Sequence, residues 1–328
     1  MSLLDLTFKE LEEAKFELYA GNPVIRSGFF DPVIADPSVV TPDESHDGKW
    51  YLLAHSLAGV RVFVSDDGIS FGKGKRAIPR AMRADVKKID CVYHIFYERL
   101  KPLLTRAKGL FGGKWESDIY AVTSKDLKHF SKPVPVLTVD KPYERTDRNG
   151  HSLSNPFLLK EGGKYRLYYS AGLTFIDDCG FSEPAYICLA ESDEPLRGYV
   201  KYPSPIIYPD ERSRFFNLCC GCLKVYKLKD CYAGVQNGIY REDGKSKSAI
   251  QLLYSADGVN FEFARTLLEP CVCAGSDWMA QFVYASHLVK TGDKLRLYFN
   301  ARNKAYMLSG REHIGFAEAE LGTRGKDA

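Results

Sequence analysis

A chain of 328 residues with 45% hydrophobic and 27% charged residues can bury a large core, which excludes disorder as its main state. A formal net charge of +3, with the basic residues scattered, implies neither a nucleic acid nor an anionic membrane as partner. Small molecules or proteins remain as partners.

The opening MSLLDLTFKELEEAKFELYAG has no basic stretch leading into an apolar run, and no window approaches the roughly 18 apolar residues of a membrane span. A cytoplasmic location is therefore expected. Nine cysteines, an odd number without even spacing, point to reduced thiols rather than a disulfide framework. Cys219 and Cys222 have CxxC spacing, but a second such pair is absent and their segment reads as an apolar strand, so no zinc site is expected.

In chain order, an apolar strand followed by Ser and an acidic or Gly-rich turn occurs at VRVFVSDDGISF (60–71) and returns at DIYAVTSKDLKHF (118–130). It recurs at AYICLAESDEPLRGY (185–199) and SAIQLLYSADGVNF (248–261), and more loosely in HIGFAEAEL. Ser65, Ser124, Ser192 and Ser255 mark intervals of 59, 68 and 63 residues. Upstream of each copy lies a hairpin with period-2 alternation of Tyr, Leu and Phe. These hairpins begin at Asp36, Ala84, Ser154, Cys219 and Phe282, and SNPFLLKEGGKYRLYYSAG is the clearest of them.

A unit of about 60 residues holding a hairpin, a third strand and room for a fourth predicts radial repetition. The expected fold is all-β: a five-bladed β-propeller with four-stranded antiparallel blades around a central channel. Residues 1–328 form one domain in this reading, with a lead-in over about 1–20 and a tail over about 323–328. Antiparallel strands bring the starts of the innermost strands and the loops between second and third strands to one face. That face collects Asp36, Asp85 and Asn155, then Glu98, Glu116 and Asp118, then Asp177, Asp178 and Glu183, and finally Arg311 and Glu312.

At Ala35-Asp36-Pro37, at Ala84-Asp85-Val86 and in the recurrent GKYRLYYSAG and VTSKDLKHF phrasing, the chain resembles the five-bladed propeller glycoside hydrolases of family 43 and its relatives, families 32, 62, 68, 117 and 130. The resemblance implies a glycosidase acting on a short oligosaccharide or glycoside by an inverting two-carboxylate mechanism, with Asp36 as base. Inversion uses one carboxylate to activate water and a protonated partner, roughly 6.5–9.5 Å away, to protonate the leaving oxygen. The family's usual acid, in a Glu-Gly-Pro setting, is missing: the comparable places read Ser154-Asn155-Pro156 and Gly221-Cys222-Leu223. Glu183, in IDDCGFSEPAYI with apolar neighbours, is the substitute acid. Asp85 completes the catalytic candidates, although its counterpart in the family acts as a structural acceptor.

Asn155, His151, Arg148, Glu98, Asp118, Asp178, Trp278 and Arg311 are the candidate substrate contacts, and Phe29, Phe30 and Tyr284 offer further ring faces. Each has a plainer reading as a turn, a salt bridge or core. The basic insertion RLKPLLTRAKGLFGGKWES (99–117) suggests phosphate as an alternative attacking group, as in the family 130 phosphorylases. A carbohydrate-binding propeller without catalysis is a third reading. No cofactor or metal is expected; calcium, bound by some relatives, has no ligand pattern here.

Overall fold

The computed structural model describes residues 4–101, 114–146, 150–273, 276–306 and 309–321; these are almost entirely β-structure. The basic insertion between 102 and 113, Arg148 and the C-terminal tail lie outside the described residues. Helix α1 (Phe8–Glu13) starts at a capping box: the Thr7 hydroxyl accepts from Glu10 N, and the Glu10 carboxylate accepts from Thr7 N at 2.7 Å. Strand β1 (Glu17–Leu18) follows.

The first group of strands is β2 (Ala35–Val40), β3 (Trp50–Ser56), β4 (Gly59–Ser65) and β5 (Lys75–Pro79). The second is β6 (Ala81–Ile89), β7 (Val92–Leu100), β8 (Trp115–Ser124) and β9 (Val134–Leu137). After β10 (Arg145–Thr146) come β11 (Gly150–Glu161) and β12 (Lys164–Ala171), a small hairpin of β13 (Thr174–Ile176) and β14 (Phe181–Glu183), then β15 (Tyr186–Ser192) and β16 (Val200–Lys201). The fourth group is β17 (Cys219–Lys227), β18 (Tyr232–Glu242), β19 (Lys245–Ser255) and β20 (Glu262–Leu268). A ribbon of β21 (Cys271–Cys273) and β22 (Ser276–Met279) leads to β23 (Phe282–Thr291), β24 (Lys294–Arg302) and β25 (Glu312–Glu320).

Within each group the neighbours pair antiparallel, and β1 completes the last group from the N-terminus, with Glu17 opposite Glu318. The recurrent serine has a mechanical reason. Ser65, Ser124 and Ser255 each accept, through Oγ, the amide of the residue three places on, closing the turn after the third strand. The acid two places on, Asp67, Asp126 or Asp257, accepts the two amides beyond it.

The Arg-Leu-Tyr phrase docks one group on the next. Tyr168 donates its hydroxyl to Gly258 O at 2.8 Å and Arg166 donates to Asp257 O at 2.8 Å, tying the third group to the fourth. Tyr298 and Arg296 make the same pair of bonds to Gly68 O and Asp67 O, tying the last group to the first. The first long strands of the groups follow the same succession: β2 packs on β6, β6 on β11, β11 on β17, β17 on β23, and β23 on β2.

Apolar cores fill the spaces between neighbouring sheets. Tyr51, Leu53 and Val62 of the first group meet Val86, Ile95 and Tyr97 of the second; Trp50, Leu52 and Phe63 meet Tyr298 and Phe316 of the last. At roughly 25 cal/mol per Å² of apolar area removed from water, these inter-sheet faces supply the main drive to assemble. Cysteines 219, 220 and 222 are buried in β17 as free thiols. The reading of the cysteines as reduced thiols is corrected at Cys271, which is disulfide-bonded. Among the described residues no helix is long and apolar enough to cross a membrane, and no group of three metal-type side chains gathers.

Candidate active site

Each of the five strands β2, β6, β11, β17 and β23 is broken by an irregularity near its start. The register shifts between Ala35 and Ser38, Met82 and Asp85, Ser154 and Phe157, Cys219 and Cys222, and Tyr284 and Ser286. At four of these bulges one residue takes a left-handed backbone: Asp36 (φ 55°), Arg83 (φ 50°), Asn155 (φ 48°) and Gly221 (φ 65°). For non-glycine residues this costs about 1–3 kcal/mol, and it re-aims the side chain at the same level in each group. At Gly221 a Cβ would fall 1.9 Å from Asn237 O, so glycine is required there.

The residue aligned with Asp36 in the second group is therefore Arg83. Asp85, two positions later, is fully buried and acts as a clasp. Its Oδ1 accepts from Ser38 Oγ at 3.3 Å and its Oδ2 from Leu158 N at 3.0 Å, joining the first three groups, with Lys87 Nζ 3.5 Å away.

Asp36 is held by Asn300 and His55. Its backbone N–H donates to Asn300 Oδ1 at 3.1 Å, and its Oδ2 lies 2.7 Å from His55 Nδ1. His55 sits opposite Ala35 in the β2–β3 pairing, so the hairpin register delivers it to the carboxylate. Burial works against charge on Asp36, but His55, then Arg83 and Lys224, outweigh it and hold the carboxyl below its ordinary range.

Glu183 closes the β13–β14 hairpin, within the connection from β12 to β15. Asp178 pins this hairpin to β19 by accepting Ser246 N at 2.8 Å and Ser246 Oγ at 2.6 Å. Beyond Glu183 the chain meets the β17 bulge, where Gly221 N donates to Pro184 O and Cys220 N to Ala185 O. Burial pushes the Glu183 carboxyl up to about 7; Asp36, Glu312 and Glu98 add to the rise and Arg83 opposes it. The structure thus brings Asp36, Glu183 and Glu98 into one electrostatic cluster.

The cations explain why the two carboxyls differ. Arg83 is bonded to Glu98 at 2.8 Å and reaches Glu183 only at 3.4 Å. Glu98 is further held by Trp115 Nε1 at 2.8 Å and Ser117 Oγ at 2.6 Å. Arg302 bonds Glu312 at 2.8 Å, Lys87 faces Asp85, and Lys224 lies 3.9 Å from Asp85 while lowering Asp36. Glu183 therefore shares Arg83 with Glu98 and has the longer contact of the two. A buried carboxyl whose cation is engaged more closely by another acid is pushed toward its neutral form.

The other sequence candidates lie as follows. Asn155 donates to Ser170 Oγ at 3.3 Å at its bulge. His151 Nε2 is buried without a hydrogen-bond partner among the described residues, and burial, with Lys101, lowers its pKa. Asp118 accepts from Val139 N at 3.2 Å and pairs with Lys101 at 3.2 Å, between β8 and β9. Trp278 is core, 6% exposed and stacked on Phe299, so the ring face expected there is covered. Arg311 lies over Phe29, 5.7 Å from the ring centroid. Sequence reasoning missed Arg83, His55, Lys224, Asn300 and Arg302. Aligning the repeats on the residue before Pro37, Ala84 and Pro156 finds Arg83.

No family model matches the sequence, and no curated protein matches it. Solved structures do match along the whole chain. One titled "Glycoside hydrolase" superposes with a TM-score of 0.70 at 12% identity, covering 99% of this chain and 98% of its own. The catalytic domain of a Coprinopsis cinerea GH62 α-L-arabinofuranosidase gives 0.67 at 14% identity, covering 94% and 98%. A β-1,2-mannobiose phosphorylase from Listeria innocua gives 0.61 at 13% identity, covering 93% and 97%. The chain has the fold of these glycoside hydrolases and phosphorylases, and the sequence resemblance is borne out at that level.

Proposed function

We propose that the chain is a glycosidase built as a five-bladed propeller, which hydrolyses a short oligosaccharide or glycoside with inversion. The five strand groups, the cyclic succession of β2, β6, β11, β17 and β23, and the docking of Tyr298 on the first group support the ring. The observation that carries the chemistry is the split between two carboxyls in one cluster, Asp36 held low and Glu183 raised to about 7. Near pH 6 this pair is one carboxylate and one neutral acid, the assignment that glycoside hydrolysis needs.

In this reading Asp36 Oδ1, left free by the His55 contact on Oδ2, takes a proton from the attacking water. Water oxygen bonds the anomeric carbon as the glycosidic C–O bond breaks, and the Glu183 carboxyl gives its proton to the departing oxygen. Arg83 then stabilises the Glu183 carboxylate until solvent reprotonates it, and Asp36 releases its proton to solvent. Asp85 holds the blades rather than touching substrate.

The test is turnover of a panel of 4-nitrophenyl glycosides and oligosaccharides with and without inorganic phosphate. Release of free sugar without phosphate, lost in Asp36→Asn with the fold unchanged by circular dichroism, is expected. Turnover that requires phosphate, or survives Asp36→Asn, removes the assignment.

A further inference from the structure

Phe29 and Phe30 are 76% and 92% exposed, the most exposed large apolar side chains among the described residues. Their rings stand edge to face at 5.1 Å and 87°, and the Arg311 guanidinium covers part of Phe29. The turn presenting them is firmly made. Gly28 N donates to Asp31 O at 3.1 Å, and the Asp31 carboxylate accepts from Leu57 N at 3.0 Å and pairs with Arg61 at 3.0 Å. Leu57, itself 41% exposed, extends the apolar surface on the β3–β4 turn.

From this turn the chain runs directly into the candidate site. Glu312 N donates to Pro32 O at 2.9 Å, Ile34 N donates to Glu312 O at 3.2 Å, and β2 begins one residue before Asp36. Phe30 is therefore at most about 20 Å of extended chain from Asp36, and Val33 between them is bridged to Glu312. Two bare rings held in place at the rim of a polar site form the apolar patch that marks a ligand surface. The C–H face of a sugar ring fits an aromatic face, and the Arg311 side chain beside it supplies donors for hydroxyls.

We infer that Phe29 and Phe30, flanked by Arg311 and Leu57, form an outer subsite that stacks on a sugar ring of an oligosaccharide of three or more units, away from the bond cleaved at Asp36. The inference rests on the glycosidase reading and names its substrate class: a chain rather than a simple glycoside. Its test compares Phe30→Ala, Phe30→Leu and Phe30→Trp with the parent protein on a 4-nitrophenyl monoglycoside and on the tetrasaccharide of the same sugar. The ratio of tetrasaccharide to monoglycoside kcat/KM falls about tenfold in the Ala and Leu variants and is retained in Trp. Calorimetric titration of the tetrasaccharide into Asp36→Asn, with and without Phe30→Ala, shows the same tenfold loss in affinity without turnover.

An unchanged ratio and unchanged affinity overturn the subsite while leaving the Asp36–Glu183 reading intact. So does a parent protein that prefers the monoglycoside and does not bind the tetrasaccharide. Sedimentation in which Phe30→Ala converts a dimer to a monomer, with no length dependence, assigns the rings to a second copy of the chain instead. Absence of turnover on every substrate, with tetrasaccharide binding still dependent on Phe30, removes the glycosidase reading and keeps the subsite.

Discussion

Replacing Glu183 with Gln tests the raised acid without any knowledge of the substrate. Folding lifts this carboxyl from an ordinary 4.5 to about 7, so the native state binds the proton more tightly than the unfolded chain. The resulting stability is fully present below about pH 4.5 and is lost as pH rises through about 7. A shift of this size corresponds to roughly 3 kcal/mol, at about 1.4 kcal/mol per pH unit. Glutamine keeps the shape and cannot ionise, so Glu183→Gln lacks that pH dependence. Thermal unfolding of both proteins at pH 5 and pH 8 isolates the effect, because all other titrations cancel in the double difference. The variant gains on the parent by several degrees of Tm between pH 5 and pH 8. An identical pH response in the two proteins refutes the burial argument for Glu183, and with it the acid.

Asp36 and His55 predict the acid side of the rate profile. His55→Ala removes the leading cause of the low Asp36 pKa, so the acidic limb of kcat/KM moves up in pH while the basic limb stays near 7, as a pH–rate titration will read. Asp85→Ala leaves Leu158 N and Lys87 without their buried partner and destabilises by about 3–5 kcal/mol in urea unfolding. Tyr298→Phe removes one bond from the last strand group to Gly68 O and costs about 1 kcal/mol by the same method.

The repeat was readable because its residues do mechanical work at fixed places: Ser65, Ser124 and Ser255 close turns, and Tyr168 and Tyr298 dock one sheet on the next. Strand direction then sufficed to send Asp36, Glu98, Glu183 and Glu312 to one face. Arg83 escaped because a bulge adds residues to a strand, so counting back from the apolar run lands on Asp85 instead. His55 escaped because it belongs to the second strand and reaches Asp36 only through hairpin register. Trp278 reads equally as a sugar platform or as core until packing decides, and Phe299 covers it. The exposure of Phe29 and Phe30 has no sequence signature, since apolar residues beside glycine and proline look like any loop entering a strand.

The pairing of a charged Asp36 with a neutral Glu183 is tested most directly by leaving-group dependence. A 2,4-dinitrophenyl glycoside departs without protonation, whereas the sugar of a disaccharide needs the acid. Glu183→Gln is predicted to keep kcat/KM on the dinitrophenyl substrate within about tenfold and to lose a factor of about 10²–10⁴ on the disaccharide. An equal loss on both substrates, or no loss on either, contradicts the account.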